Sequence, residues 1–179
     1  MALAHYPVIN RSGDIIASAV TNLDMHDMAR AAKTYGVKKL YVITPLEDQK
    51  ELCQKIISHW TVGRGSTFNP KRKQALDLID IKNSIDDALN EIRSSEGGCP
   101  KTVVTSAKNG SRCITHAELR EILEDGKPCL LIFGTGWGLA EEIILGADYL
   151  LEPVKGNTDY NHLSVRSACS IILDRIIKG

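Results

Sequence analysis

Lys127-Pro128-Cys129-Leu130-Leu131-Ile132-Phe133-Gly134-Thr135-Gly136-Trp137-Gly138-Leu139 is the most informative segment of this chain. Positions 128–133 are almost wholly apolar. A strand that is apolar on both of its alternating sets of positions suits a parallel sheet covered by helices on both faces. The chain then changes character at once, with glycines at 134, 136 and 138 and a short helix expected over Gly138–Leu145. Glycine admits unusual dihedrals and lets a ligand come close to the backbone, where free amides donate hydrogen bonds. A tight structural turn is the other reading of the same residues. The pattern is not a Walker A loop, because no Gly-Lys-Ser/Thr follows. It also departs from the dinucleotide fingerprint, since its glycines alternate and its strand lies late in the chain.

Working outward, strands and helices alternate. Asp14–Val20 is read as a first strand, and a helix follows from near Asp24 with Asn22 or Asp24 as cap. Met25, Met28, Ala29, Ala32 and Tyr35 recur at helical spacing, and Gly36 supplies the stop. A strand over 38–43 leads to a helix over 47–60 whose apolar side is Leu52, Ile56, Ile57 and Trp60. Segment 62–73 carries Gly63, Gly65, Asn69 and Pro70 and reads as a loop. A strand over 75–81 precedes a helical stripe of Ile85, Ala88, Leu89 and Ile92, stopped by Gly97 and Gly98. The next strand ends near Thr105, and Thr115 with Glu118 forms a capping box that opens a helix. Beyond the central stretch come a strand over Asp148–Leu151 and a last helix from near His162 with Asn161 as cap. With no linker, repeat or low-complexity tract, the pattern gives a single α/β domain over 1–179 with a largely parallel sheet.

Of the 179 residues, 22 are Lys or Arg and 22 are Asp or Glu, and 43% are hydrophobic. This excludes global disorder and excludes coating of nucleic acid by bulk positive charge, while leaving room for a local basic patch. Cys53, Cys99, Cys113, Cys129 and Cys169 are odd in number and contain no CxxC pair, so reduced thiols are expected, with Cys129 in the core. The N-terminus lacks the pattern of a signal peptide and no apolar run suits a membrane span, so a cytoplasmic protein is expected.

Three segments then carry a resemblance: 130–142 (LLIFGTGWGLAEE), 147–154 (ADYLLEPV) and 159–176 (DYNHLSVRSACSIILDRI). Together they resemble the C-terminal half of the SPOUT class of RNA methyltransferases. Asn22, Asp27, Ala29, Arg30 and Gly36 fit the same class at the front. The resemblance implies a parallel sheet of five or six strands with helices on both faces. It also implies a C-terminal deep trefoil knot (the α/β knot), a threading that departs from the usual rule for protein chains. S-adenosylmethionine bound in bent form within the knot, an obligate homodimer, and methylation of a ribose 2′-hydroxyl or a base nitrogen in tRNA or rRNA are implied as well. Methyl transfer from a sulfonium needs no metal, and none is expected.

The resemblance places cofactor contacts on three loops. They are Thr105, Ser106 and Ala107; Gly134, Thr135, Gly136, Trp137, Gly138 and Leu139; and Leu151, Glu152, Pro153 and Val154, with Asn161, His162, Leu163 and Ser164 beyond. Leu139, Leu151 and Leu163 are expected to sandwich adenine. Arg30, with Asn22 beside it, is the catalytic candidate of the ribose-methylating members; a guanidinium orients phosphate or stabilises an oxyanion rather than acting as a free base. Asp159 is the analogue of the aspartate of base-methylating members, and His162 is a further candidate base. Arg64, Phe68, Asn69, Lys71, Arg72 and Lys73 form the expected RNA-contact loop, with cations for phosphates and an aromatic for a base. The glycine loop has Thr135 and Trp137 where many ribose methyltransferases place a glutamate. That leaves base methylation open, and with it a catalytically silent knotted protein that binds cofactor or RNA.

Overall fold

A computed structural model describes residues 1–108 and 113–178. Nine strands and eight helices occur among them, as β1 (Ala2–Ala4), β2 (Val8–Ile9), β3 (Ile15–Ile16), α1 (Asn22–Thr34), β4 (Leu40–Ile43), α2 (Glu47–Thr61), α3 (Arg64–Phe68), α4 (Pro70–Leu76), β5 (Ile79–Lys82), α5 (Ile85–Glu96), β6 (Lys101–Thr105), β7 (Cys113–Ile114), α6 (His116–Glu124), β8 (Cys129–Gly134), α7 (Glu141–Gly146), β9 (Tyr149–Leu151) and α8 (Val165–Ile177). Seven strands form one sheet in the order β5-β4-β1-β8-β6-β9-β7, and every neighbouring pair is parallel.

Alternation along the strands builds two cores. Leu3, Leu40, Val42, Val103, Leu131 and Phe133 face one side, where Met25, Met28 and Ala32 of α1 and Ile172, Leu173 and Ile176 of α8 cover them. Ala2, Ala4, Tyr41, Ile43, Val104, Leu130 and Ile132 face the other, against Ile85 and Ala88 of α5 and Ile143 and Ile144 of α7. The expectation of helices on both faces therefore holds, and β8 is the doubly buried strand. Because all seven strands run the same way, their carboxyl ends and the loops that follow meet at one edge.

Several expectations are corrected. The sheet has seven strands, not five or six. Its interior strand β1, between β4 and β8, lies at Ala2–Ala4, while the expected strand over Asp14–Val20 is reduced to Ile15–Ile16, which pairs antiparallel with Val8–Ile9 in a separate hairpin. Segment 62–73 is not a loop but α3 and the start of α4, because Asn69 caps the Arg72 amide and Pro70 takes the first helical turn. The strand expected over 75–81 is Ile79–Lys82. Thr21, not Asn22 or Asp24, caps α1, accepting from the Asp24 amide. The last helix starts at Val165 under a Ser164 cap rather than near His162. The helix after the glycines starts at Glu141, since φ values of 60° at Gly136 and 116° at Gly138 keep the intervening backbone out of helical space. Cys129 is half-buried and packs against the core. The Thr115–Glu118 capping box and the left-handed stop at Gly97 are as expected.

Candidate functional site at the carboxyl edge of the sheet

The glycine loop leaves β8 at Gly134 and is clamped by the β2–β3 hairpin. Ile9 donates its amide to the Gly138 carbonyl at 2.9 Å and accepts from the Trp137 amide at 3.1 Å, and Ala140 donates to the Pro7 carbonyl at 3.2 Å. The bends need glycine. A Cβ on Gly134 would sit 2.8 Å from the Leu139 nitrogen, and one on Gly136 3.1 Å from the Ile9 oxygen. Thr135 donates from Oγ1 to the Ala4 carbonyl at 3.0 Å and also meets the Ser18 hydroxyl. Trp137 is 60% exposed on this fixed loop. An indole left in solvent on a held backbone is available to stack on a planar partner.

The loop after β6 carries Thr105, Ser106 and Ala107. Thr105 Oγ1 donates to the Ile132 carbonyl at 3.2 Å, and Ser106 Oγ accepts from the Lys108 amide at 3.0 Å. The segment after β9 reaches back to this loop, as Asn161 Nδ2 donates to the Ala107 carbonyl at 2.9 Å. Asn161 thus joins two of the three expected loops instead of capping the last helix. Glu152 accepts from the His116 amide at 3.0 Å and lies 2.7 Å from His116 Nδ1, so its carboxylate ties the loop to the start of α6. Those bonds, the amide first, hold the Glu152 carboxyl below its ordinary range. Leu151 and Leu139 are buried in separate cores, on opposite faces of the sheet, while Leu163 is exposed. The adenine sandwich expected of these three is therefore not assembled here. Pro153 is buried, Val154 half-buried, and His162 packs edge-on against exposed Tyr160 at 5.2 Å. Asp159 stands exposed on the same segment.

The front residues gather on α1. Asn22 and Arg30 are exposed, and among the described residues no ion pair engages the Arg30 side chain. Arg30 lines a groove of about 590 Å³ between α1 and α8, with Asp27, Arg166, Ser167 and Ser170. Arg166, within the 159–176 segment, binds α8 to α1. Its Nη1 donates to Asp24 Oδ1 at 3.0 Å and its Nε lies 3.4 Å from Asp27. Asp24 is nearly buried and also accepts from the Thr21 hydroxyl at 2.6 Å.

The expected RNA-contact residues divide. Arg72 stacks over the Trp60 ring at 4.5 Å, Lys73 donates to the Thr61 carbonyl at 2.6 Å, and Asn69 is a helix cap. Arg64, Lys71 and Phe68, the last 89% exposed, remain available to a ligand. His26 and His59 contact Trp60 edge-on at 5.5 and 5.0 Å. Burial first, then the Arg72 charge, lowers the His26 pKa, opposed by Asp27.

A residue no sequence pattern flagged completes the edge. His5, the residue after β1, is fully buried, with Nδ1 3.0 Å from Ser18 Oγ. A polar residue directly after a buried strand at the binding edge was the available signal. A second cavity, about 520 Å³, is at the opposite, amino-terminal edge, lined by Met1, Tyr41, Leu119, Leu123 and Ile176 among others. Among the described residues no cluster of His, Cys, Asp and Glu has metal-binding form, and no helix is long and apolar enough to cross a membrane.

Comparison with known proteins gives the family and the fold. Residues 1–178 match a family model described as SAM-dependent RNA methyltransferase. The chain is 46% identical, over 98% of its length, to a tRNA (guanine-N(1)-)-methyltransferase of Nitratidesulfovibrio vulgaris. It spans only about two fifths of the length of the curated tRNA methyltransferases it matches. An uncharacterised protein of Aquifex aeolicus is 36% identical over 98% of this chain and 86% of its own. The fold is shared with the SpoU methyltransferase AviRb of Streptomyces viridochromogenes, solved in complex with AdoMet, at a TM-score of 0.58, 16% identity, 99% coverage of this chain and 57% of that one.

Proposed function

From the membership of this chain in the family of SAM-dependent RNA methyltransferases, we propose that it transfers a methyl group from S-adenosylmethionine to RNA, with tRNA the first substrate to test. The observation that carries the site assignment is the meeting of three loops, at 105–107, 134–139 and 151–164, on one edge of a parallel sheet, the usual ligand position in such folds. The donor set fits the cofactor. Backbone amides and carbonyls at glycine bends suit an adenine and a zwitterionic tail, and no metal-type ligand set is needed. When bound, the cofactor supplies an electrophilic methyl on a sulfonium.

The chain's own contribution is then position and charge. The glycine loop, fixed by Ile9 and Thr135, holds the ligand's place. Arg30, without an ion-pair partner among the described residues and always protonated, orients a phosphate or offsets negative charge on the attacking oxygen or nitrogen. Asn22 lies at the start of the same helix. Asp159 is the candidate to take the nucleophile's proton, and its exposed place leaves room for substrate. Phe68, Arg64 and Lys71 supply a stacking face and two cations for the RNA. The name borne by the Nitratidesulfovibrio relative, a guanine-N1 enzyme, favours a base nitrogen over a ribose oxygen.

The C-terminal trefoil knot is part of this reading. It is supported by the place of β9 in the sheet, paired with both β6 and β7. A cytoplasmic homodimer, and one methyltransferase domain over 1–179, complete the proposal. Sedimentation of the protein checks the dimer. The function is tested by incubation with methyl-labelled S-adenosylmethionine and separate tRNA and rRNA pools, followed by nucleoside analysis. Label in one nucleoside is expected. Cofactor binding by calorimetry with no label in any RNA would instead support a silent binding protein.

A further inference from the structure

The contacts around Thr135 fix the direction of three hydrogen bonds, and with it the protonation of a buried histidine. Thr135 Oγ1 lies 3.0 Å from the Ala4 carbonyl, which can only accept, so the single hydroxyl proton of Thr135 is committed there. The contact between Ser18 Oγ and Thr135 Oγ1 must therefore be donated by Ser18. Ser18 has then spent its own proton, so the 3.0 Å contact to His5 Nδ1 must be donated by the ring. His5 is held as the Nδ1–H tautomer, and its Nε2 keeps a bare lone pair, buried and without a hydrogen-bond partner among the described residues. The backbone locks the same groups. The His5 amide donates to the Ile43 carbonyl at 2.9 Å, and the Ser18 amide to the His5 carbonyl at 2.8 Å.

This chain of contacts joins three parts of the site. His5 continues β1, Ser18 lies on the segment that runs into α1 with Asn22 and Arg30, and Thr135 sits between the first two glycines of the glycine loop. We propose that His5 is a positioning residue. By donating through Ser18 it fixes Thr135, and so holds the glycine loop in register with the segment that carries Asn22 and Arg30. The role rests on the reading of 134–139 as the cofactor loop. The ring touches no substrate, since it is fully buried; it acts through the two hydroxyls.

The experiment has two readouts. Nitrogen NMR of the histidine-labelled protein at neutral pH is expected to show a proton on His5 Nδ1 and none on Nε2; a proton on Nε2 would overturn the assignment. Calorimetry then measures S-adenosylmethionine affinity in Thr135→Val, Ser18→Ala, His5→Gln and His5→Asn, each checked for a native thermal transition. Loss of one buried hydrogen bond is expected to weaken binding about tenfold in the first three. Asparagine places its amide nitrogen where Nδ1 stood, so His5→Asn is expected to stay within about twofold, whereas glutamine mimics Nε2 and does not rescue. The double variant Ser18→Ala/Thr135→Val is expected to be no weaker than either single, because both break one chain. Equal loss in His5→Asn and His5→Gln would reduce the histidine to a packing role and refute the proposal. Unchanged affinity in all four would refute the coupling while the cofactor reading stands. Wild-type protein that binds no S-adenosylmethionine would remove the cofactor reading itself.

Discussion

Acid should destabilise this protein through His5 by an amount that follows from its burial. The ring is fully buried, and desolvation takes its pKa from 6.5 to about 4, opposed in part by Asp24 and the Ala19 backbone. Protonation would also put a hydrogen on Nε2, which has no hydrogen-bond partner among the described residues. In the unfolded chain the imidazole titrates at its ordinary value. Between those two values the unfolded state binds a proton that the folded state refuses, so stability falls as pH falls. The contribution is complete above pH 6.5 and is lost progressively down to about pH 4. Each pH unit inside that window removes about 1.4 kcal/mol, so going from pH 7 to pH 5 removes roughly 2 kcal/mol.

Other groups titrate in the same direction. Burial lowers the Met1 ammonium from 8.0 to about 6 and also lowers His26, so both add acid sensitivity. The useful quantity is therefore a difference. Urea unfolding of wild type and His5→Asn, side by side from pH 8 to 4.5, cancels the shared terms. Wild type is expected to lose about 2 kcal/mol more than the variant between pH 7 and pH 5, or about 4–8 °C more in Tm for a chain of this size. Parallel stability curves would show that His5 is not held neutral by the fold, and the reasoning would fail.

Arg166→Ala is expected to cost about 2 kcal/mol or more in urea unfolding, because it leaves the nearly buried Asp24 carboxylate without its cation. A loss below about 0.5 kcal/mol would show that the Thr21 hydroxyl suffices. Gly134→Ala is expected to abolish S-adenosylmethionine binding and lower Tm, since its Cβ would lie 2.8 Å from the Leu139 nitrogen, backbone that cannot swing aside. Native affinity in that variant would place the cofactor elsewhere. Phe68→Ala is expected to leave Tm within about 1 °C, the ring being 89% exposed, and to weaken RNA binding about tenfold in filter assays if a base stacks there. Unchanged RNA affinity would remove α3 from the substrate surface.

What the sequence withheld has physical causes. Ala2–Ala4 forms an interior strand of the sheet between β4 and β8, yet alanine is a weak strand former and three residues carry almost no period. The more strand-like Asp14–Val20 contributes only Ile15–Ile16, which pair with Val8–Ile9, the strand whose Ile9 clamps the glycine loop. The 62–73 segment misleads for another reason. Gly, Asn and Pro mark turns, but the same residues start helices, and here Asn69 and Pro70 do so. β7, two residues long, has no pattern to read. Long apolar stripes and reciprocal caps, as in β8, α8 and the Thr115–Glu118 box, were legible because their local preferences agree with the tertiary structure.

The site was legible as loops and illegible as chemistry, and the basic segment shows why. Counting cations from Arg64 to Lys73 treats each as free for phosphate. Folding commits Arg72 to Trp60 and Lys73 to Thr61 and Asp77, so fewer cations are left free in this segment than the sequence suggests, beside exposed Phe68. The opposite happens on the sheet edge, where residues that look inert acquire a function. Ser18 and Thr135 are 117 positions apart and His5 sits beside small strand residues, so no spacing rule connects them. Only the direction of donation, forced by a carbonyl that cannot donate, orders them into one chain. The residues that set the geometry of the glycine loop are thus those whose protons have a single place to go.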